Sequence, residues 1–265
     1  DLELQLDGRI IDRAVKWDLG VNFSLNRSKV LVLSEDKDIF GGELDNTILK
    51  DQLNLMRVGE PMYVFYGYVE DGYDENGHIV YKNMDDDPAI TAADKTIIGD
   101  PNPDFLVNLT TAVSYKGFTL SAFFQSSIGN DIYSLSMAAQ AYDYGYNGNT
   151  LREVYYNHWT PENPTAKYPN LDQTSYKMSD RFVYDGSFVR LKNLELAYDV
   201  PCARSKFIKR ARVYVSAQNL FTITSYPFWD PDINANGGGS SMIQGVDSYC
   251  YPSARTYTIG CRLTF

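Results

Sequence analysis

The sequence predicts an all-β chain that forms part of a transmembrane antiparallel β-barrel, and three observations lead to this prediction. Apolar and polar residues alternate with period two in several long stretches, as in strands with one apolar face. Each full stretch has roughly ten to thirteen residues, enough to cross a bilayer at a tilt near 45°. Short turns and long loops alternate between the stretches, as they do in outer-membrane barrels.

The first two predicted strands span about residues 2–9 and 14–26. The second strand has the clearest alternation: Val15, Trp17, Leu19, Val21, Phe23 and Leu25 are apolar, and Lys16, Asp18, Gly20, Asn22, Ser24 and Asn26 lie between them. So long a run with period two predicts a strand whose two faces meet different surroundings.

The third and fourth predicted strands span 105–116 and 118–129. Phe105, Val107, Leu109 and Val113 share one phase of the third strand, and Phe118, Leu120, Ala122 and Phe124 share one phase of the fourth. The Lys116-Gly117 pair between them predicts a tight hairpin turn.

The last three predicted strands span 187–198, 210–222 and 254–265. The first of these changes phase near Asn193, which predicts a β-bulge. In the last strand the residues Tyr257, Ile259, Cys261, Leu263 and Phe265 share the apolar phase. The terminal aromatic Phe265 resembles the assembly signal of outer-membrane barrels, so this end is expected on the periplasmic side.

The connections predict which side of the membrane each end of a strand faces. Residues 10–13, the Lys116-Gly117 turn and residues 199–209 are short, whereas 27–104, 130–186 and 223–253 are long and are expected to be extracellular. Seven strands with one apolar face leave open edges and do not close alone. We therefore expect the chain to be the C-terminal part of a larger barrel, with a plug and further strands outside this sequence.

Composition excludes two classes of protein. No apolar run approaches the roughly 18 residues of a spanning helix, so a helical membrane protein is excluded. The formal net charge is −10 and no cluster of Lys and Arg is present, which excludes a nucleic-acid partner. The abundant aromatics, 21 Tyr, 13 Phe and 3 Trp, suit strands, interfacial girdles or carbohydrate-facing surfaces equally well.

Several segments in series resemble the SusC/RagA family of TonB-dependent transporters. They are VGEP at 58–61 with FYGY at 65–68, IGDPNPDF at 98–105, WTPENP at 159–164, DGSFVRLKNL at 185–194, VYVSAQNLFT at 213–222, and the closing YP at 251–252 with RTY at 255–257 and LTF at 263–265. The resemblance spans nearly the whole chain and implies the C-terminal third or so of a 22-stranded barrel.

The resemblance implies a function for the complete protein. Such transporters import oligosaccharides or peptides, energised through the TonB complex, in the outer membrane of Gram-negative bacteria of the Bacteroidota type. A SusD-like surface lipoprotein closes over the barrel as a lid. This chain is expected to supply wall in contact with outer-membrane lipid and an extracellular binding surface, while the TonB box and plug lie outside it.

One loop carries oxygen ligands in the register of a calcium site. Asn83, Asp85, Asp87 and Asp94 take positions 1, 3, 5 and 12 of such a loop. Position 6, which requires Gly for the sharp turn, is Pro88. The sequence therefore allows bound Ca²⁺ or, as the alternative, a solvated acidic loop.

Aromatic side chains crowd the long loops, and rings of this kind stack on sugar faces or grip peptide side chains. We single out Tyr66, Tyr144, Tyr146, Trp159 and Trp229 as candidate substrate contacts. The alternative for each is packing between loops or against the lipoprotein. Abundant Tyr and Trp favour oligosaccharide over peptide as ligand.

The sequence contains no recognisable set of nucleophile, base and orienting residue, so no enzyme is predicted. The run Asp85 to Asp87 lies in a loop, whereas glycosidase carboxylates need a fixed separation on a rigid frame. The leading hypothesis is import of an oligomeric nutrient. The alternative is an outer-membrane barrel that acts as an adhesin or structural platform without transport.

Overall fold

A single antiparallel sheet organises the chain. The computed structural model describes residues 1–45, 49–142, 149–202, 207–233 and 242–265. The seven long strands are β1 Leu2–Asp12, β2 Val15–Leu25, β3 Phe105–Tyr115, β4 Phe118–Ile128, β5 Phe188–Val200, β6 Arg210–Thr224 and β7 Thr256–Thr264. The prediction of an all-β chain with seven long antiparallel strands is confirmed.

The sheet is a meander in which every strand pairs with the next one along the chain. The register shifts between Leu191 and Asn193, where β5 carries one residue, Lys192, without an opposite partner on β4. The bulge predicted near Asn193 is therefore confirmed. A second shift, between Arg9 and Ile11, bends β1 near its end.

Several strands run further than the alternation indicates. β1 continues to Asp12, because pairing resumes beyond the shift with Ile11 opposite Trp17. β6 continues to Thr224, where it pairs with Phe188. The long connections are therefore residues 26–104, 129–187 and 225–255, called here the first, second and third loops.

The sheet has one apolar and one polar face. On the apolar face a single row crosses all seven strands through Ile11, Trp17, Val113, Leu120, Leu196, Val215 and Ile259, each paired with the next. On the polar face a row of six strands runs through Gln5, Asn22, Asn108, Gln125, Arg190 and Thr222. The two faces follow directly from the period-two pattern.

The long loops are folded structures with secondary elements of their own. The first loop contains short strands at Ile39–Phe40, Glu43–Asp45, Lys50–Gln52, Asn54–Met56, Val64–Gly67, Glu70–Tyr73, Ile79–Tyr81 and Thr96–Gly99. The second contains strands Asp131–Ser134 and Val183–Asp185 with helices α1 Leu135–Tyr142 and α2 Arg152–Tyr156, and the third contains strand Val246–Asp247. Single 3₁₀ turns lie at Ser34–Asp36, Ala92–Asp94 and Asp180–Phe182.

The three loops share one hydrophobic core. Phe65 of the first loop, Tyr133 and Phe182 of the second, and Ile243 and Val246 of the third are all buried in it. The parallel pairing of Val246–Asp247 with Tyr133 and Ser134 joins the third loop to the second. The loops therefore form one packed body at one end of the sheet.

No helix in the described ranges combines the length and the apolar character needed to cross a bilayer.

Candidate ligand-binding cavity

A cavity of about 510 Å³ lies between the polar face and the loop body. Its floor comes from β3 and β4, through residues such as Asn108, Gln125 and Ser127. Phe188 of β5 also lines it, and the rest of the lining comes from all three loops. These residues are Met62, Tyr63, Pro101, Asn102 and Pro103 of the first, Asn130 and Ile132 of the second, and Pro231, Asp232, Ile233, Gln244 and Gly245 of the third.

The floor of the cavity is polar because the strands turn their polar phase toward it. Asn108 and Gln125 are directly opposite each other on β3 and β4. Above them, Leu106 and Phe188 add apolar surface. A ligand in this cavity therefore meets amide groups beside apolar patches, the combination that typifies small-molecule sites.

A buried ion pair fixes the third loop to the wall beside the cavity. The Arg190 guanidinium, 2% exposed, donates to Asp230, and it also donates to Ser253 Oγ at 3.1 Å and Asp232 Oδ2 at 3.3 Å. Burial raises the pKa of Asp230, but hydrogen bonds from the Ser253 and Asp232 amides and the contact with Arg190 outweigh it, so the pKa is lowered. Asp230 therefore stays ionised against the wall.

A second contact fastens the third loop to the first. The Asn54 side chain, 1% exposed, donates to the carbonyl oxygens of Gln244 at 3.0 Å and of Tyr63 at 2.8 Å. Gly245 has φ +68 and lies against Pro101 and the Phe65 ring. Because the buried Asn54 amide donates to one carbonyl of the first loop and one of the third, it holds the cavity roof in one position.

A third contact joins the third loop to the second through a buried carboxylate. Asp247 is 1% exposed and accepts hydrogen bonds from the Tyr226 hydroxyl at 2.6 Å and from Ser136 Oγ at 3.1 Å. The Tyr226 hydroxyl lies 2.9 Å from Ser134 Oγ. Burial, together with the bond to Asp247, raises the pKa of Tyr226, which keeps it a donor.

Tyr66 and Trp159, two of the aromatic residues predicted to contact substrate, lie apart from the cavity. Tyr66 packs beside Phe40 with the Arg57 guanidinium 5.0 Å from its ring centre. Trp159 covers the turn at Gly77 in the loop body. Tyr144 and Tyr146 lie outside the described residues. Substrate contact by these four residues stays a prediction.

Trp229 lies in a different position from the other candidates. It stacks on Phe228, with ring centres 4.8 Å apart, and lines a smaller cavity of about 320 Å³ with Arg190, Asn219 and Arg255. Its side chain is more than half exposed. The position leaves a ring face available, and substrate contact by Trp229 stays a prediction.

The predicted calcium ligands bind their own loop. Asp94 accepts the amide hydrogens of Met84 and Thr91, both at 2.7 Å, and these bonds lower its pKa. Asn83, Asp85 and Asp87 each accept from the amide two residues ahead.

The described part of the chain contains no group of three or more His, Cys, Asp or Glu placed to hold a metal ion. The carboxylates of this loop do not converge, so these residues do not fit Ca²⁺ in this conformation. Calcium binding stays a prediction without support from the geometry.

Phe265 follows the last residue of β7 and is largely exposed, in phase with Tyr257 and Ile259 on the apolar face. Its role as an assembly signal stays a prediction.

Sequence reasoning missed the residues that form the cavity. Asn108 and Gln125 belong to the polar phase of predicted strands, so the alternation placed them on the correct face. Only the register of β3 against β4 shows that they are neighbours. Arg190 was part of a family motif, but its buried partner Asp230 is forty residues away.

The fold and the cavity together define the class of protein. An apolar face across all strands suits lipid, a polar face suits a barrel interior, and folded loops at one end cover a cavity on the polar side. The chain is thus a segment of an outer-membrane barrel wall with its loops.

Comparison with known proteins identifies the relatives of this segment. No family model matches the chain. TonB-dependent receptor P3 of Formosa agariphila is 31% identical over 99% of this chain and 28% of its own length. TonB-dependent receptor SusC of Bacteroides thetaiotaomicron is 28% identical over 97% of this chain and 25% of its own length.

The fold agrees with the sequence comparison. The solved RagAB peptide transporter superposes with a TM-score of 0.80 at 25% identity, over 99% of this chain and 28% of the matched chain. Sequence and fold relate the chain to the SusC-like TonB-dependent receptors, as its motifs predicted. The chain spans about a quarter of the length of these relatives, which are outer-membrane receptors of Gram-negative bacteria and are not enzymes.

Proposed function

We propose that the complete protein imports an oligomeric nutrient across the outer membrane and that this chain supplies part of the barrel wall and of the ligand-contact surface. The observation that carries the proposal is the polar cavity between β3, β4 and the loop body. A structural wall alone has no need of a cavity with free amide groups beneath a rigidly held roof.

The relatives support transport and leave the cargo open. The relatives are TonB-dependent receptors, and the matched RagAB structure is described as a peptide transporter. We propose an oligosaccharide in preference to a peptide, on the aromatic content of the loops and the neutral amides of the cavity floor.

The proposal includes two partners and an orientation. The first, second and third loops face the cell exterior, and a SusD-like lipoprotein closes over them. The TonB complex acts through a part of the protein outside this chain, in a bacterium of the Bacteroidota type.

Support for the lipoprotein comes from the SusC and RagAB relatives. The exposed aromatic pair Tyr155 and Tyr156 on α2 supplies a surface of the kind that protein partners bury.

The test measures uptake in cells that carry the full-length gene. Ser127 lines the cavity, and Ser127→Trp would fill part of it. We expect this variant to lower the uptake rate of labelled oligomers while monomers, which pass porins, enter at the normal rate. The control is Ser121→Trp, on the same face of β4 but nearer the hairpin turn and outside the cavity lining.

Two outcomes would contradict the proposal. Unchanged oligomer uptake in a strain lacking the gene would exclude import. Loss of cell attachment in that strain, with uptake intact, would establish the adhesin or platform alternative.

A further inference from the structure

Three amide side chains form a ladder across adjacent strands of the polar face. Asn22 on β2 pairs with Asn108 on β3, and Asn108 pairs with Gln125 on β4. Adjacent strands lie about 4.8 Å apart, so the amide ladder presents three donor–acceptor groups over roughly 10 Å. The ladder begins in the cavity at Gln125 and Asn108 and extends beyond it to Asn22.

None of the three amides is used by the protein within the described residues. No side-chain hydrogen bond involves Asn22, Asn108 or Gln125, and the Oδ1 atom of Asn108 is buried without a partner. An unpaired buried amide oxygen is costly, and buried polar groups are nearly always bonded. The ladder therefore has unmet hydrogen-bonding capacity at its centre.

Three other polar side chains of the cavity lining already have partners. Asn102 donates to the Met62 carbonyl and to Asp100, and Ser127 donates to Asn130. Asp232 contacts Arg190 at 3.3 Å and Lys192 at 3.6 Å. The amide ladder is thus the part of the cavity floor that remains available to a ligand.

The charges around the ladder favour a neutral ligand. Asp232 is the sole charged side chain among the described residues that line the cavity. Arg190 continues the row beyond Gln125, but its guanidinium is buried against Asp230, Ser253 and Thr222. An anionic ligand would find no free cation here, and the net charge of −10 would repel it.

We propose that the amide ladder binds a neutral oligosaccharide, an inference that rests on the proposed import function and names its ligand class. An amide offers a donor and an acceptor side by side, as do neighbouring hydroxyls on a sugar ring, so Asn22 and Gln125 can each bind one ring with two hydrogen bonds, while Asn108 can contribute its donor. An extended peptide repeats its backbone groups every 3.3 Å or so in alternating directions, which does not match rungs about 4.8 Å apart.

The experiment uses the full-length protein purified in detergent with any associated lipoprotein. The complex is incubated with three pools, neutral oligosaccharides, uronic-acid oligosaccharides and peptides of the same length, and retained species are identified by mass spectrometry. The affinity of each retained species is then measured by titration for wild type and variants.

Asn108→Leu and Gln125→Leu keep the approximate volume and remove the amide, and each is expected to weaken binding of the retained neutral oligosaccharide by about fivefold to tenfold. Asn22→Leu changes an exposed residue and gives the same test with less risk to folding. The matched control is Gln218→Leu, an amide on the polar face of β6 outside the cavity lining, which is expected to leave affinity unchanged.

Retention of peptides or uronic-acid oligosaccharides alone would overturn the ladder's assignment while leaving the import proposal intact. Neutral oligosaccharide binding that none of the three variants weakens would also overturn it. Failure of the import proposal is read separately, from oligomer uptake in the strain that lacks the gene.

Discussion

Arg190 connects the wall to the third loop at the scale of a single residue. Its charge is buried, and its main partner, Asp230, is 5% exposed. Taking both charges out of water is costly, and their contact with Ser253 and Thr222 offsets that cost. The pair therefore contributes to the position of the loop more than to the total stability of the fold.

We expect Arg190→Met to destabilise the third loop by about 3–5 kcal/mol, because Asp230 would remain buried without its cation. The measurement is the rate of proteolysis within residues 225–255 of the full-length protein. Arg212→Met is the control, since Arg212 contacts Glu195 at a partly exposed site on the same face and its loss should cost about 1 kcal/mol or less.

The double variant Arg190→Met with Asp230→Leu separates charge from packing. Replacing both members by apolar residues is often neutral, so we expect much of the protection from proteolysis to return. A double variant as sensitive as Arg190→Met alone would show that the ion pair is not what holds the loop.

At the scale of elements, the segment 242–247 is the part of the third loop that the rest of the loop body encloses. Ile243 and Val246 are fully buried, Asp247 binds the second loop, and Gln244 binds Asn54 of the first. The segment passes between the two larger loops and contacts both. Its position therefore determines the shape of the cavity roof.

Gly245→Ala tests this role. A Cβ at this position would lie 2.4 Å from Pro101 and 2.9 Å from the Phe65 ring, in addition to the cost of φ +68. We expect a loss of about 1–3 kcal/mol from overpacking, measured as lower thermal stability of the loop body. Gly59→Ala is the control, because Gly59 also has positive φ but its Cβ would meet open space.

The elements differ in how much of them the sequence predicts. The wall strands can be predicted from the alternation of apolar and polar residues. Each of them pairs with the strands next to it along the chain and turns one face toward the membrane. The short loop strands have two to four residues and are stabilised by distant partners, such as Phe65 against Tyr133. No local pattern encodes such pairs, so the sequence indicated loops where the structure has a packed body.

The sequence also predicts only part of the candidate site. The period-two alternation predicts that Gln125 and Asn108 lie on the polar face. Only the pairing register of β3 and β4 shows that the two residues are neighbours. Aromatic abundance pointed instead to Tyr66 and Trp159, whose rings are used for packing within the loop body. Composition identifies residue types that bind ligands and does not show which of them the fold leaves free.

At the scale of the whole molecule, the two faces of the sheet determine how it resides in the membrane. Leu120 lies in the row that crosses the apolar face, and Ser121 follows it on the polar face. Leu120 lies near the hairpin turn, so we expect Leu120→Arg to cost less than the roughly 2–4 kcal/mol of a midplane site in a bilayer, but clearly more than Ser121→Arg, which faces away from lipid.

The measurement is reversible unfolding of the full-length protein from lipid vesicles in denaturant. Equal losses for the two arginine variants would mean that the apolar face does not contact lipid. A larger loss for Ser121→Arg would reverse the assignment of the faces.

The meander topology also predicts the order in which the parts of the chain fold. The strand pairs β1–β2, β3–β4 and β5–β6 have short connections, so these hairpins close quickly and the wall can grow by joining one hairpin to the next. The loop body depends on contacts such as Asn54 with Gln244, 190 residues apart, which require the intervening strands to be in place. Folding of the cavity roof is therefore a late step, and a wall inserted with a strand out of register would be left without a roof.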